Sequence, residues 1–130
     1  MKYAVVTGGT SGIGLGVANM LREKGYYVFA TYVAVKTDQT LREDVYRFIS
    51  YVKSKCDHVD CIVCNAGMTI RKSFVETEDA DWDKMMEVAV NSHYILIREF
   101  FPIIPANSRI LFTGSQMGLM PHAMVLSYGV

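Results

Sequence analysis

The first apolar run, Tyr3-Ala4-Val5-Val6, is β-prone and ends abruptly in glycines, which predicts a strand entering a tight turn. Behind the turn, residues 12–24 carry Ile13, Val17, Met20 and Leu21 at helical spacing, with Gly25 placed to stop the helix. Tyr26–Tyr32 is β-prone throughout and predicts a second, buried parallel strand. From about Leu41 to Lys55, Val45, Phe48, Ile49 and Val52 mark an amphipathic helix, and Val59–Cys64 a third strand closing in Asn65-Ala66-Gly67. Thr77, followed by Glu78, Asp79 and Asp81, predicts a helix start with carboxylates at its positive end. That helix is expected to turn Trp82, Met85, Met86, Ala89, Val90, Ile97 and Phe100 inward as far as Pro102 and Pro105. Arg109–Thr113 is the last strand, after which Gly114-Ser115 opens a loop.

Strands alternating with helices across short turns imply an α/β fold with a parallel sheet covered on both faces. Two features point to an incomplete single domain over residues 1–130. Between Tyr32 and Leu41 there is too little chain for a crossover helix and a further strand. The strand around Ile110–Thr113 would also be a bare apolar edge. A segment missing near Val33–Val35 and a C-terminal part beyond Val130 are therefore expected.

Composition narrows the function classes. The 130 residues are 51% apolar with a formal charge of zero, so a nucleic acid or an anionic membrane surface is not expected as partner. No apolar run approaches the roughly 18 residues of a membrane span, and the start of the chain shows no signal-peptide pattern. A cytoplasmic protein is expected. Cys56, Cys61 and Cys64 match part of an iron–sulfur spacing but lack a fourth ligand. Cys61 and Cys64 should face opposite sides of a sheet, so buried free thiols are the preferred reading. His58, His93 and His122 show no metal-ligand spacing, and no metal is expected.

The turn itself carries candidate chemistry. In Thr7-Gly8-Gly9-Thr10-Ser11-Gly12-Ile13-Gly14, backbone N–H groups and the positive end of a helix converge, which suits a pyrophosphate. Gly8 would allow the sharp exit from the strand, Gly12 the close approach of phosphate, and Gly14 tight helix–strand packing.

From Lys2 to Val130 the sequence resembles the classical short-chain dehydrogenase/reductase family. The turn resembles that family's cofactor turn, and Cys64-Asn65-Ala66-Gly67 its Asn-Asn-Ala-Gly. Trp82 with Val90-Asn91 is similar to the helix that supplies its catalytic asparagine, and Ser115 and Tyr128 stand thirteen apart, as its serine and tyrosine do. The resemblance implies a Rossmann-type doubly wound fold and a nicotinamide cofactor bound by Gly8, Thr10, Ser11, Gly12, Ile13, Gly14, Tyr32, Asp38, Asn65, Ala66 and Gly67. It also implies an NAD(P)-dependent oxidoreductase interconverting a carbonyl and a secondary alcohol as small-molecule substrate. A 3-oxoacyl-carrier-protein reductase is the commonest such role, although no residue specifies an acyl substrate.

By the same resemblance Tyr128 is the acid/base, Ser115 bonds the substrate oxygen and Asn91 holds a relay water. A phenol titrates near ~10 and needs a nearby cation to work at neutral pH. The family's lysine would fall four residues past Tyr128, beyond Val130, so the chain as given lacks it. The cofactor is NAD or NADP: no carboxylate or basic residue directly follows Thr31-Tyr32, and Ser11 stands where some NADP-dependent relatives carry arginine. Asp38 is read either as the adenine contact or as a solvated loop carboxylate. Met117, Met120 and Met124 are read either as a pliable substrate pocket or as core. Relatives pair through the long helix, so a homodimer or homotetramer is expected. The competing function is a catalytically silent dinucleotide-binding sensor or scaffold.

Overall fold

The computed structural model describes residues 1–31, 37–120, Met124 and Tyr128. Four strands, β1 (Lys2–Val6), β2 (Tyr26–Ala30), β3 (Cys61–Cys64) and β4 (Arg109–Phe112), form one parallel sheet in the order β2-β1-β3-β4. Val5 lies opposite Phe29 on one side and Ile62 on the other. The pleat sends these three, with Cys64, to one face, and Ala4, Val6, Val28, Cys61 and Val63 to the other.

Each face has its own helical cover. Helix α1 (Gly12–Glu23) lies over the second face and buries Ala18 there. Helices α2 (Arg42–Lys55) and α4 (Ser92–Phe100) cover the first, where Val45, Phe48, Ile49 and Val52 meet Ile95, Leu96 and Phe100. The fold is thus the Rossmann-type doubly wound α/β arrangement. Cys61 and Cys64 are buried on opposite faces as the spacing predicts, and burial pushes the Cys64 thiol up to about 12. Among the described residues no helix is long and apolar enough to cross a membrane.

Two expected helical faces are corrected. In α1, Ile13 is 69% exposed and Met20 50%, whereas Gly14 and Ala18 are buried, with Val17 and Leu21 packed beside them. The backbone of Gly14 approaches Gly8 so closely that a Cβ on it would lie 2.1 Å from the Gly8 carbonyl oxygen. That approach fixes which side of α1 meets the sheet, against the pull of the larger Ile13.

The long helix is also interrupted. Helix α3 (Asp79–Met86) runs into a π-helical turn, Glu87–Asn91, before α4 begins, and the Ser92 N–H reaches back five residues to the Glu87 carbonyl. The Ser92 hydroxyl donates to the Val88 carbonyl at 2.6 Å, and His93 Nδ1 lies 3.0 Å from the Ala89 carbonyl. Polar side chains inserted into the helical ladder in this way widen it. The added residue rotates the buried stripe: Val88 goes inward, while Ala89 and Val90, expected in the core, face outward. Trp82, Met86 and Ile97 are half-buried, and Met85 and Phe100 are buried as expected.

The helix start also moves. Glu78 caps α3 and receives the Asp81 carboxylate on its N–H, while the Thr77 hydroxyl donates to Ser73 instead. Strand β4 is exposed along its whole length, with Phe112 at 64%.

Phe48 has no exposed surface and sits where α2 meets the sheet. Replacing it by alanine is expected to cost about 3–5 kcal/mol of stability, read from the midpoint of urea unfolding; an unchanged midpoint would show that this face is not the core.

Candidate functional site

Strand β1 is followed through α1 to β2 on one side, while its other neighbour, β3, is reached through α2 on the opposite face. The chain reverses direction across the sheet between β1 and β3. In open α/β sheets the crevice beyond the C-terminal strand ends at such a point is where ligands bind. Here that crevice is flanked by the glycine turn after β1 and by Asn65-Ala66-Gly67 after β3.

The two flanks are tied together by Thr7 and Asn65. The buried Thr7 hydroxyl accepts the N–H of Asn65 and of Ala66, each at 2.9 Å. The Asn65 amide donates to the Thr7 carbonyl at 3.2 Å and the Gly8 carbonyl at 3.4 Å, and its oxygen accepts the Thr113 hydroxyl at 3.0 Å. Asn65 thus joins the ends of β1, β3 and β4.

At the turn, Gly8 and Gly12 have φ of 62° and 53°, the left-handed region that favours glycine. Among the described residues, apart from its chain neighbours and its own helix backbone, no atom lies within 4 Å of where a Gly12 Cβ would stand. Ser11 is the extended N-cap of α1 and makes no side-chain capping bond. The first turn of α1 thus keeps N–H groups without a side-chain cap, while Ser11, Gly12 and exposed Ile13, predicted as cofactor contacts, do not line either cleft described below.

A cleft of ≈ 610 Å³ starts at Gly8 and Thr10, passes Gly67, Met68 and Val88, and runs to Thr37, Asp38, Gln39, Asp44 and Arg47. The hydroxyl of Thr40, then its backbone N–H, hold the Asp38 carboxyl below the usual carboxylate range. Asp38 is exposed and lines this cleft. Tyr32, the remaining predicted cofactor contact, lies outside the described residues.

A second cleft of ≈ 270 Å³ holds Ser115 and Tyr128 in its lining, with Thr113 and Gly114, against Met85, Met86, Ala89 and Val90. Met68 lines both clefts, so they adjoin. Ser115 Oγ accepts the Met117 N–H at 3.2 Å, a bond that leaves the hydroxyl proton available. Asn91 lies beside Val90 in the π turn but does not line this cleft. Its amide donates to Glu87 at 2.8 Å, and Arg42 and then Asn91 hold the Glu87 carboxyl below its usual range. The methionines of the cleft are Met68, Met85 and Met86; Met120 and Met124, expected as pocket or core, are exposed, and Met117 is half-buried.

Sequence reasoning missed three buried polar residues: Thr31 and Gln39, which line the larger cleft, and Ser92 behind it. Each is the sort of residue usually found on a surface. His93 Nδ1 faces the Ala89 carbonyl, which only accepts, so Nδ1 carries the proton. Nε2, 2.8 Å from the Thr7 hydroxyl, is then the acceptor for the hydroxyl's own hydrogen. The signal available was position: Ser92 directly follows Asn91 in an otherwise apolar stretch.

An all-parallel sheet with a glycine turn at its switch point defines a Rossmann-type α/β protein. The short chain dehydrogenase family model matches residues 30–130, and the chain belongs to that family. A 2-dehydro-3-deoxy-D-gluconate 5-dehydrogenase of Pseudoalteromonas atlantica is 31% identical over 98% of this chain and 59% of its own length. A 3-oxoacyl-[acyl-carrier-protein] reductase of Rickettsia felis is 27% identical over 91% of this chain and 55% of its own. The crystal structure of a 3-ketoacyl-(acyl-carrier-protein) reductase from Brucella melitensis complexed with NADH superposes with a TM-score of 0.86 at 24% identity, over 98% of this chain and 63% of that one. The chain therefore spans little more than half the length of these two curated relatives. The first alignment runs over 150 positions, so that relative carries residues with no counterpart among these 130.

His93 gives the site a measurable pH signature. Burial pushes its pKa below the ordinary 6.5, so the folded state resists a proton that the unfolded chain accepts. Stability is then unaffected by His93 above pH 6.5 and falls as pH drops below it. His58 acts oppositely, because Asp57 raises its pKa and stabilises the folded state at low pH. The contribution of His93 is isolated by comparison: the urea midpoint of wild type should fall more steeply below pH 6.5 than that of His93→Gln. Parallel curves would mean that the buried ring titrates as it does when unfolded.

Proposed function

We propose that this chain forms the cofactor-binding and active-site part of an NAD(P)-dependent oxidoreductase that interconverts a carbonyl and a secondary alcohol. The observation that carries the proposal is the adjacency of the two clefts: Met68 lines both, one opening at the glycine turn and the other holding Ser115 and Tyr128.

The residues present fit a dinucleotide. The uncapped start of α1 and the open side of Gly12 admit a pyrophosphate, and the larger cleft leads away to Asp38, suited to the adenosine end. Gly14, Asn65 and Ala66 shape this cradle from behind, and Gly67 lines it. A nicotinamide dinucleotide held there supplies or accepts the hydride. The protein's own part is to bind the substrate oxygen and move its proton. Ser115 donates a hydrogen bond to that oxygen and fixes its position. Tyr128 gives its phenolic proton as the oxygen gains charge in reduction, and takes it back in oxidation. Asn91, its side-chain nitrogen committed to Glu87, serves a proton relay behind the cleft.

The apolar lining of Met68, Met85, Met86, Ala89 and Val90 supports a substrate with apolar flanks, of which a 3-oxoacyl thioester is one kind. The NADH in the Brucella structure and the name of the Rickettsia relative support the cofactor and this substrate kind by analogy. A cytoplasmic homodimer or homotetramer belongs to the same proposal, its pairing supported by exposed Tyr94 on α4 and Phe101 just past its end.

The intact gene product is expected to bind NADH or NADPH, with the preferred one giving the larger fluorescence change at low concentration. In a panel of carbonyl substrates, Tyr128→Phe should lower kcat by about 10²–10⁴ and leave dinucleotide affinity unchanged. Binding without turnover in either protein would favour a silent dinucleotide-binding sensor. No binding of either nucleotide would reduce the Gly8–Gly14 segment to a structural turn.

A further inference from the structure

Gln39 occupies an unusual place: a side-chain amide, 9% exposed, on the loop between β2 and α2. Its two ends are engaged on different elements. The oxygen accepts the Thr31 hydroxyl at 3.2 Å, and the nitrogen donates to the Ser92 hydroxyl at 3.0 Å. Beyond Thr31, the same hydroxyl oxygen accepts the Gly8 N–H at 2.7 Å. Beyond Ser92, that hydroxyl donates to the Val88 carbonyl at 2.6 Å.

Every donor direction along this chain is therefore fixed. Gly8 N–H gives to Thr31, Thr31 to Gln39, Gln39 to Ser92, and Ser92 to Val88. Without the Gln39 carbonyl, the Thr31 hydroxyl has no fixed reason to turn its lone pair toward Gly8. Without the Gln39 N–H, Ser92 keeps its bond to Val88 but loses its tie to the cofactor side. Thr31 and Ser92 are each more than nine-tenths buried, so water does not readily replace either partner. Gly8 stands at the mouth of the larger cleft, and Val88 lines that cleft from the π turn.

We propose that Gln39 is a positioning residue of the dinucleotide site, holding Gly8 through Thr31 and locking the glycine turn to the π turn through Ser92. The assignment rests on the dinucleotide site proposed above. Gln39 acts through Thr31 and Ser92 rather than on the reacting atoms. A hydrophobic residue of the same length would fill the space and remove only the bonds that Gln39 makes to the two hydroxyls.

The test is a set of dissociation constants for NADH and NADPH with the intact gene product, measured for wild type, Gln39→Met, Ser92→Ala and the double variant. Hydrogen exchange at the Gly8 amide is followed in the same proteins. Gln39→Met should weaken binding of the preferred dinucleotide about three- to tenfold, the scale of one lost buried hydrogen bond. Ser92→Ala should weaken it in the same direction, and the double variant should lose less than the product of the two single effects. Exchange at Gly8 should accelerate in Gln39→Met while the amides of α2 keep their protection.

Wild-type affinity in Gln39→Met, with Gly8 exchange unchanged, would overturn the assignment while leaving the dinucleotide site intact. Reduced thermal stability with unaltered affinity would likewise make Gln39 merely structural and overturn it. Should Gln39→Met not fold, unaltered affinity and Gly8 exchange in Ser92→Ala would do the same. A wild-type protein that binds neither dinucleotide would overturn the functional proposal itself, and this assignment with it.

Discussion

The hydroxyl of Thr7 is the point on which the arrangement of the crevice depends. It stands at the end of β1 with no exposed surface, accepts the N–H groups of Asn65 and Ala66, and gives its hydrogen to His93. Three chain segments far apart in sequence are held by one oxygen. Two of the N–H groups that β3 would leave unpaired as it ends are satisfied there, in a place water cannot readily reach. Without that oxygen, the Asn65 and Ala66 N–H groups beyond the end of β3 would lose their partner, while the β3 ladder to β1 and β4 would remain. The geometry of the crevice is therefore a consequence of hydrogen-bond satisfaction at strand ends, before any ligand is considered.

Much of this was legible in the residues. The β-prone run ahead of Gly8, the glycine spacing and the apolar repeat of Val45, Phe48, Ile49 and Val52 lead directly to the strand, turn and helices observed. These are local patterns, each set by backbone sterics or by one buried face. What was not legible depends on long-range packing. The side of α1 that meets the sheet follows from the contact of Gly14 with Gly8, not from the larger Ile13. The π turn escapes a reading at 3.6 residues per turn, because one extra residue is invisible in a list of apolar positions. It leaves Ala89 and Val90 on the outer side and brings Val88 in.

The candidate site divides along the same line. Gly8, Thr10, Gly67, Ser115 and Tyr128 were singled out by motif and do line the two clefts. Motifs record what touches a ligand. Gln39, Ser92 and His93 are held by other protein groups and carry no such pattern, yet they are buried and engaged, and Gln39 also lines the larger cleft. The methionines show a related limit. Met117, Met120 and Met124 follow Ser115 in sequence, but the cleft takes Met68, Met85 and Met86 from two other segments. Closeness in sequence to Ser115 is a poor guide to what stands across from it.

Both buried hydrogen-bond chains leave the end of the sheet and arrive at the same place. Thr7 reaches Ala89 through His93, and Gly8 reaches Val88 through Thr31, Gln39 and Ser92. Val88 and Ala89 are neighbours in the π turn, and they line different clefts, Val88 the larger and Ala89 the smaller. A straight α-helix would spend those two carbonyls on the backbone N–H groups of Ser92 and His93. The π turn changes that pairing and lets side chains from α4 take hold of them. The distortion and the polar network are thus one feature: it ties the end of the sheet to the turn that lines both clefts, through Thr31 and Gln39 at the wall of the larger one and Ser92 and His93 beyond it.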